Sequence, residues 1–397
     1  MPISRFTLAY IALSQNLVSA FHHHHHHRRA VHSWIKKPSF DSRCTTNLFS
    51  LVNIAEDAPR DLNAMDQWAY ECGSQRVGSL QFTAENTLGT NDGNKMDISF
   101  MTTEDIPTST SILYVPNEMI LSSNKAIEEF GHLQNAEDHI ASKNAQSETR
   151  QYYLMLKILA EWEKGDQSPW YPWLNALPRF YSNAVSMTHL CYTCLPALMS
   201  IYAMRERTNM NNLLFKDVPF LSAETKSNFD VWIWAYQVVY TRSFEADDGS
   251  GDLRIVPVGD YFNHGTHTNI AMGYDEGGNY HVQTTADVPA GSQLLTSYGC
   301  PTNPSYLFAR YGFLDYSSPA TFCKAVISNP SEEVINLGYS FNRMLFYKES
   351  GEASQEGKLA KKYRMSYCFH VLILSILHRF HCVLKYGMSC FTNTWKN

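Results

Sequence analysis

The chain has no surplus of positive charge: 32 Lys and Arg stand against 38 Asp and Glu, a formal net charge of −6 over 397 residues. A nucleic-acid binder normally carries a basic face, so that class is disfavoured. Long hydrophobic runs are missing too. The apolar stretches 6–13 and 371–377 are too short to span a bilayer, and His378 and Arg379 break the second, so no stable membrane insertion is expected. The nine cysteines are scattered without a framework, which reads as a reduced compartment with mostly buried thiols. Only Cys191-Tyr192-Thr193-Cys194 has redox or zinc spacing, and no second pair answers it. The run His22–His27 reads as low-complexity sequence, and no metal site is expected. What the chain does have is apolar substance. Hydrophobic residues make up 44% and aromatics 13%, ample for a sizeable core, and the length suggests two lobes with peripheral segments.

Residues 1–20 have the outline of a signal peptide: one early charge, Arg5, an apolar run, then Val18-Ser19-Ala20. Residues 21–60 continue basic, hydroxylated and acid-poor, with Asp41 the one acidic residue before position 55, the composition of a transit peptide. A signal ending before Phe21 and followed by transit-like sequence resembles the bipartite plastid presequence of algae with complex plastids. A plastid address is the expectation, with a cytoplasmic location as the alternative.

Chemistry concentrates in residues 255–315. Asp260, Asn263 and His264 follow the apolar run Ile255-Val256-Pro257-Val258. An Asn amide offers donors and an acceptor and an imidazole one of each, so the pair can hold a purine edge or an ammonium group. Tyr298 and Tyr311 each precede a glycine, where the backbone turns and a phenol is left facing a cleft. Between His264 and Gly291 lies a polar hairpin, 269–288, with Gly277-Gly278 as its turn. Taken singly, Asn-His reads equally as a capping pair and the tyrosines as core aromatics. Together, Pro257, Asp260, Asn263-His264, Gly291, Tyr298-Gly299, Asn303 and Tyr311-Gly312-Phe313 resemble the C-terminal half of a SET domain, the S-adenosylmethionine-dependent protein methyltransferase fold, in its plant RuBisCO large-subunit methyltransferase branch.

The earlier chain fits that resemblance in part. Residues 61–71 have helical patterning, and short strands are expected at 77–80, 100–101 and 112–116 around a polar loop, 85–95. Asp105-Ile106 and Val115-Pro116 match the first SET strands, but Asp97 and Ser99 stand where two glycines belong and Thr108 or Ser109 where a third does. Those glycines let backbone approach the cofactor, so the backbone of Met96 and Ile98 is the expected stand-in. Residues 117–239 read as mainly helical, with an apolar stripe at Tyr152, Leu154, Met155, Ile158, Leu159 and Trp162. An aromatic turn segment, 168–178, and one long helix over 216–240 are expected to follow. Thr241-Arg242-Ser243-Phe244 resembles a family segment whose arginine faces the cofactor. No cysteine cluster follows Asp315, unlike the zinc-binding tails of many chromatin-acting SET enzymes.

The resemblance implies an α+β fold: a β-rich SET core of small curved sheets with a threaded C-terminal segment, interrupted by a helical insert and followed by a truncated helical region. The implied SET domain is 61–316, with core strands in 76–116 and 240–316 and the insert at 117–239. Residues 317–357 would form a partial substrate-binding region, and 358–397 an atypical tail. The implied activity is protein-lysine N-methyltransferase, with S-adenosyl-L-methionine as cofactor and a lysine-bearing protein, of the plastid by the reading of the leader, as substrate. In-line methyl transfer demands alignment and exclusion of water, and an apolar channel lowers the lysine pKa from its usual ~10.4. By resemblance Tyr298 is catalytic; Arg242, Asp260, Asn263, His264, Ile98 and Tyr311 surround the cofactor; Phe244, Tyr298 and Tyr311 surround the substrate. An apolar Phe244 suits a lysine stem, whereas the histidine-methylating branch has Asn there. A histidine methyltransferase and a non-catalytic SET-fold partner-binding module stay open as alternatives.

Overall fold

Asp61 turns the chain into its first helix, its carboxylate accepting from the Ala64 amide and satisfying one of the donors that a first turn leaves free. Helix α1 (Leu62–Glu71) stops at Cys72-Gly73, where Gly73 takes φ 92°. In the computed structural model, the residues described are 50–85, 96–246, 249–299 and 304–315, with Glu332. The leader read in residues 1–49, Asn303, and the readings made on 316–397 otherwise lie outside the described residues.

The first strands are short: β1 (Gln75–Arg76), β2 (Leu80–Glu85), β3 (Asp97–Thr102), β4 (Ser111–Val115) and β5 (Leu121–Ser122). A run of helices follows: α2 (Ser123–Phe130), α3 (Gln134–Ser142), α4 (Thr149–Glu163), α5 (Tyr171–Ala176), α6 (His189–Cys194), α7 (Ala197–Asn212), α8 (Ala223–Ser227) and α9 (Phe229–Arg242). Strands then return as β6 (Phe244–Glu245), β7 (Leu253–Ile255), β8 (Asn263–His264), β9 (Ile270–Tyr274), β10 (Tyr280–Thr284) and β11 (Leu295–Thr296), before helix α10 (Pro304–Tyr311).

Pairing knits the strands before the helical run to those after it. The largest sheet has the order β1-β4-β10-β9, antiparallel throughout. β5-β7-β6 repeats that logic on a smaller scale, β2 pairs with β3, and β8 runs parallel to β11. This is the α+β arrangement of small sheets split by helices that the resemblance implies. Among the described residues no helix is long and apolar enough to cross a membrane.

The helical run is anchored by α4, whose apolar stripe is buried along its length and packs against α2 and α9. Tyr152, Trp173, Trp232 and Tyr236 are all buried to within 1% of full, each worth roughly 1.5–3 kcal/mol of apolar transfer. Asp252 fastens the run to the strands. Its carboxylate accepts from Ser122 Oγ (2.9 Å), Ser123 Oγ (2.8 Å), the Asn124 amide (3.0 Å) at the start of α2, and Arg254 Nε (2.8 Å). Burial alone would raise the pKa of Asp252, but the bonds from Arg254 and the helix start hold it below the usual value.

Three sequence expectations change. The strand expected at 77–80 is mostly the turn that joins β1 to β2. The helix expected over 216–240 is two, because Ser222 caps Thr225 and Asn228 caps Val231, and such side chains compete for backbone donors and start helices rather than continue them. The turn segment 168–178 holds α5, with Pro172 in its first turn where no amide donor is needed. Between α4, α7, α9 and α10 lies a polar cavity of about 140 Å³, lined among others by Glu148, Tyr202, Glu206, Tyr240 and Arg310.

Candidate active site

The site is built on the parallel pair β8 and β11, with Asn263 opposite Leu295 and His264 opposite Thr296. Glycine at 265 allows this approach, since a Cβ there would lie 2.8 Å from Leu295 Cδ1 and 3.0 Å from its Cβ. Upstream, Val258 has φ 71°, a conformation strained for a β-branched residue, and leads into the turn Gly259-Asp260-Tyr261.

His264 is locked. Its Nδ1 accepts from the Tyr298 amide at 3.1 Å, so the proton sits on Nε2, which faces Asp315 Oδ2 at 3.2 Å. Thr266 Oγ1 donates to the same carboxylate oxygen at 2.7 Å. The imidazole is thus spent on holding the Tyr298 backbone, and only its backbone is left for a ligand. The Tyr298 phenol donates to the Phe262 carbonyl at 2.7 Å. Its ring lies 4.7 Å from that of Tyr311 and 6.3 Å from that of Phe313, giving an aromatic wall. Burial pushes the Tyr298 phenol well up, with Tyr311 and the Asp97 charge adding to it; burial takes Tyr311 up to about 12.

Asn263 Nδ2 donates to Asp97 Oδ2 at 2.7 Å, which brings the first residue of β3 against β8. Ile98 follows in β3, opposite Ala84, and packs partly buried on the core. The Met96 carbonyl accepts from Arg60 Nη1 at 3.3 Å. Ser99 is buried and its hydroxyl has no hydrogen-bond partner among the described residues. Ser109, at the third glycine position, takes φ 63°.

Arg242 and Asp260 form a pair beneath the Asn-His turn. Arg242 Nη1 lies 2.7 Å from Asp260 Oδ2 and also donates to the Asp260 carbonyl, and its guanidinium sits 4.9 Å from the centre of the Tyr261 ring. Burial opposes charge on Arg242, yet Asp260 wins and holds its pKa above the usual value. The Asp260 carboxylate is fully buried and also accepts from Trp173 Nε1 at 3.2 Å, so it acts on a ligand only by way of Arg242 and the turn. The ring contacts of Phe244 run to Tyr274 (6.5 Å) and Tyr280 (6.0 Å), a second aromatic cluster. Among the described residues no three His, Cys, Asp or Glu side chains group as a metal site, and Cys191 and Cys194 are free.

The family description "SET domain" matches residues 100–299, half of the chain. The protein belongs to the SET-domain family. Its SET domain is similar to that of SET domain-containing protein 4 from Artemia parthenogenetica, 29% identical over 187 residues, covering 43% of this chain and 45% of that protein. It is also similar to ribosomal lysine N-methyltransferase set10 of Schizosaccharomyces pombe (25% over 217 residues; 53% of this chain, 38% of the relative). Actin-histidine N-methyltransferase of Danio rerio is 24% identical over 282 residues, 67% of this chain and 44% of that protein. The chain spans less than half the length of these curated relatives. The solved structure of Rubisco LSMT bound to AdoMet shares the fold with a TM-score of 0.50 at 15% identity, over 70% of this chain and 63% of that one.

Sequence reasoning overlooked three contributors. Asp315, two residues past the Tyr311-Gly312-Phe313 motif, orients His264, and no spacing in the sequence ties it to a residue 51 positions earlier. Trp173 reads as core aromatic but also bonds Asp260. Asp97 reads only as a lost glycine, although its carboxylate grips Asn263.

Proposed function

We propose that this SET domain uses S-adenosyl-L-methionine to methylate a lysine side chain of a protein substrate. The observation that carries the reading is the union, by the β8–β11 pair, of Asn263, the His264 backbone and the buried Tyr298 phenol in one place. The residues fit the cofactor's chemistry: the Asn263 Oδ1 has no hydrogen-bond partner among the described residues and is an acceptor for an ammonium, while Tyr298, Tyr311 and Phe313 form an apolar wall beside it. When bound, S-adenosylmethionine supplies an electrophilic methyl group. The Tyr298 phenol keeps its proton, donated in a hydrogen bond to the Phe262 carbonyl, and leaves oxygen lone pairs to orient an incoming amine. The aromatic wall excludes water, which favours the neutral, nucleophilic form of a lysine. Arg242, neutralised by Asp260, stiffens the turn that carries Asn263.

Support for lysine comes from the apolar Phe244 with Tyr274 and Tyr280, which suits a methylene stem. The relative named for histidine methylation, matched over 67% of this chain, favours histidine as the second reading. The test is calorimetric titration of S-adenosylmethionine into the full chain and into Asn263→Ala. Transfer of isotopically labelled methyl into candidate plastid and cytosolic extracts follows, with amino-acid analysis of the product. Binding lost in Asn263→Ala, and label recovered as methyl-lysine, support the reading. Label in methyl-histidine moves the second reading first, and no binding by a folded protein leaves a partner-binding SET fold. The plastid address is part of the same proposal, supported by the composition of residues 1–60; fusion of those residues to a fluorescent protein that stays cytosolic would remove it.

A further inference from the structure

The hydrogen bond between Asn263 and Asp97 bears on how the site chooses its ligand. Asp97 opens β3 at the position where the SET resemblance has a glycine, and it sits opposite Glu85 on β2. Its Oδ2 lies 2.7 Å from Asn263 Nδ2. A carboxylate only accepts, so the Asn263 amide must turn its NH₂ towards Asp97 and present Oδ1 the other way. Neither that oxygen nor Asp97 Oδ1 has a hydrogen-bond partner among the described residues, and no ion pair joins Asp97 to a described cation. Asp97 is also close enough for its charge to raise the Tyr298 phenol. Each of these two hydrogen-bonded side chains, one of them charged, therefore keeps one acceptor oxygen with no donor among the described residues to answer it. The group that answers such a pair is a compact cation with several N–H donors, and an α-ammonium is one.

We infer that Asp97 is a specificity-determining residue of the cofactor site: it fixes the orientation of Asn263 and, with it, receives the α-ammonium of the cofactor's amino-acid part. The inference rests on the cofactor reading above. Asp97 stands in for the lost glycine by charge rather than by backbone approach, and selectivity for ligands that carry an ammonium follows.

The test compares two ligands that share the 5′-thioadenosine part, the second lacking the amino-acid part and with it the sulfonium charge. S-adenosylmethionine and 5′-methylthioadenosine, which lacks the ammonium, are titrated calorimetrically into the full chain, Asp97→Asn and Asp97→Gly, each checked for cooperative thermal unfolding. Asp97→Asn keeps shape and a hydrogen-bond partner but removes the charge. The expected result is a loss of about tenfold or more in S-adenosylmethionine affinity in both variants, with 5′-methylthioadenosine affinity unchanged, so that the wild-type preference between the two shrinks by the same factor. An equal loss for both ligands would make Asp97 merely structural and overturn the inference. Tighter S-adenosylmethionine binding by Asp97→Gly would make it an obstruction and do the same. Wild-type protein that binds neither ligand, with variants equally silent, instead overturns the cofactor reading itself and takes this inference with it.

Discussion

In the proposed reaction Tyr298 is the residue that meets the substrate amine, and its surroundings fix its protonation. Because burial raises its pKa far above the ordinary value for a phenol, it stays protonated throughout the working range, and its bond to the Phe262 carbonyl persists. Methyl transfer should therefore rise with pH as the substrate amine loses its proton, with no alkaline fall caused by Tyr298. Tyr298→Phe removes the hydroxyl while keeping the wall against Tyr311; we expect kcat to fall by roughly 10²–10³ with cofactor affinity changed less than threefold, read by single-turnover labelling and calorimetry. At this scale the sequence was legible where a motif fixed spacing. Asn263, His264 and Tyr298 come together as their order implies, and Ser109, one of the two residues read at the third glycine position, takes a left-handed backbone. Partnerships were not legible. Nothing in the pattern told that His264 is tied to Asp315, or that Asp97 would reach Asn263 across a gap of the whole helical run.

At the level of elements, the β8–β11 pair decides whether the site exists. Gly265→Ala would drive a methyl group into Leu295, a backbone-adjacent contact that cannot simply swing aside. The pair should splay, costing about 1–3 kcal/mol of stability in urea unfolding. Cofactor binding should fall more steeply than stability alone explains, since Tyr298 hangs from His264. Asp252 is the corresponding joint for the helices. Asp252→Ala strips acceptors from Ser122, Ser123, the start of α2 and Arg254, and should cost about 3 kcal/mol or more in the same measurement. Helix and strand existence was readable from periodicity, as α4 shows. Continuity was not: the 216–240 stretch is apolar enough for one helix, but Ser222 and Asn228 cap two, because a local hydrogen bond outbids propensity over a few residues.

For the whole molecule, two buried carboxylates pull its pH dependence in opposite directions. Glu206 faces the cavity between α4, α7, α9 and α10, and burial raises its pKa to about 7, Arg310 only partly opposing. A carboxyl raised in the fold binds its proton more tightly there than in the unfolded chain. Its contribution, about 3 kcal/mol, is therefore full below its unfolded pKa near 4.3 and disappears as pH rises to about 7. Asp252 has the reverse sign: its pKa is lowered, so its stabilisation is present above the unfolded value near 3.9 and is lost as pH falls through its folded value. Glu206→Gln should flatten the decline between pH 5 and 8 and leave the variant the more stable at pH 8 by about 2 kcal/mol, measured by urea unfolding at both pH values.

The sheet order β1-β4-β10-β9 also governs how the chain can be born. β4 is complete at Val115, yet its partner β10 ends at Thr284, beyond every helix of the run. During translation, at roughly 5–20 residues per second, β4 waits on the order of ten seconds with one edge unsatisfied. In that interval the helices around α4 can assemble by themselves, whereas the strand edge is open to any other strand nearby. The nascent chain is thus most in need of a chaperone while its helices are emerging, and a transcript cut before Tyr280 would yield a helical body with a permanently sticky edge.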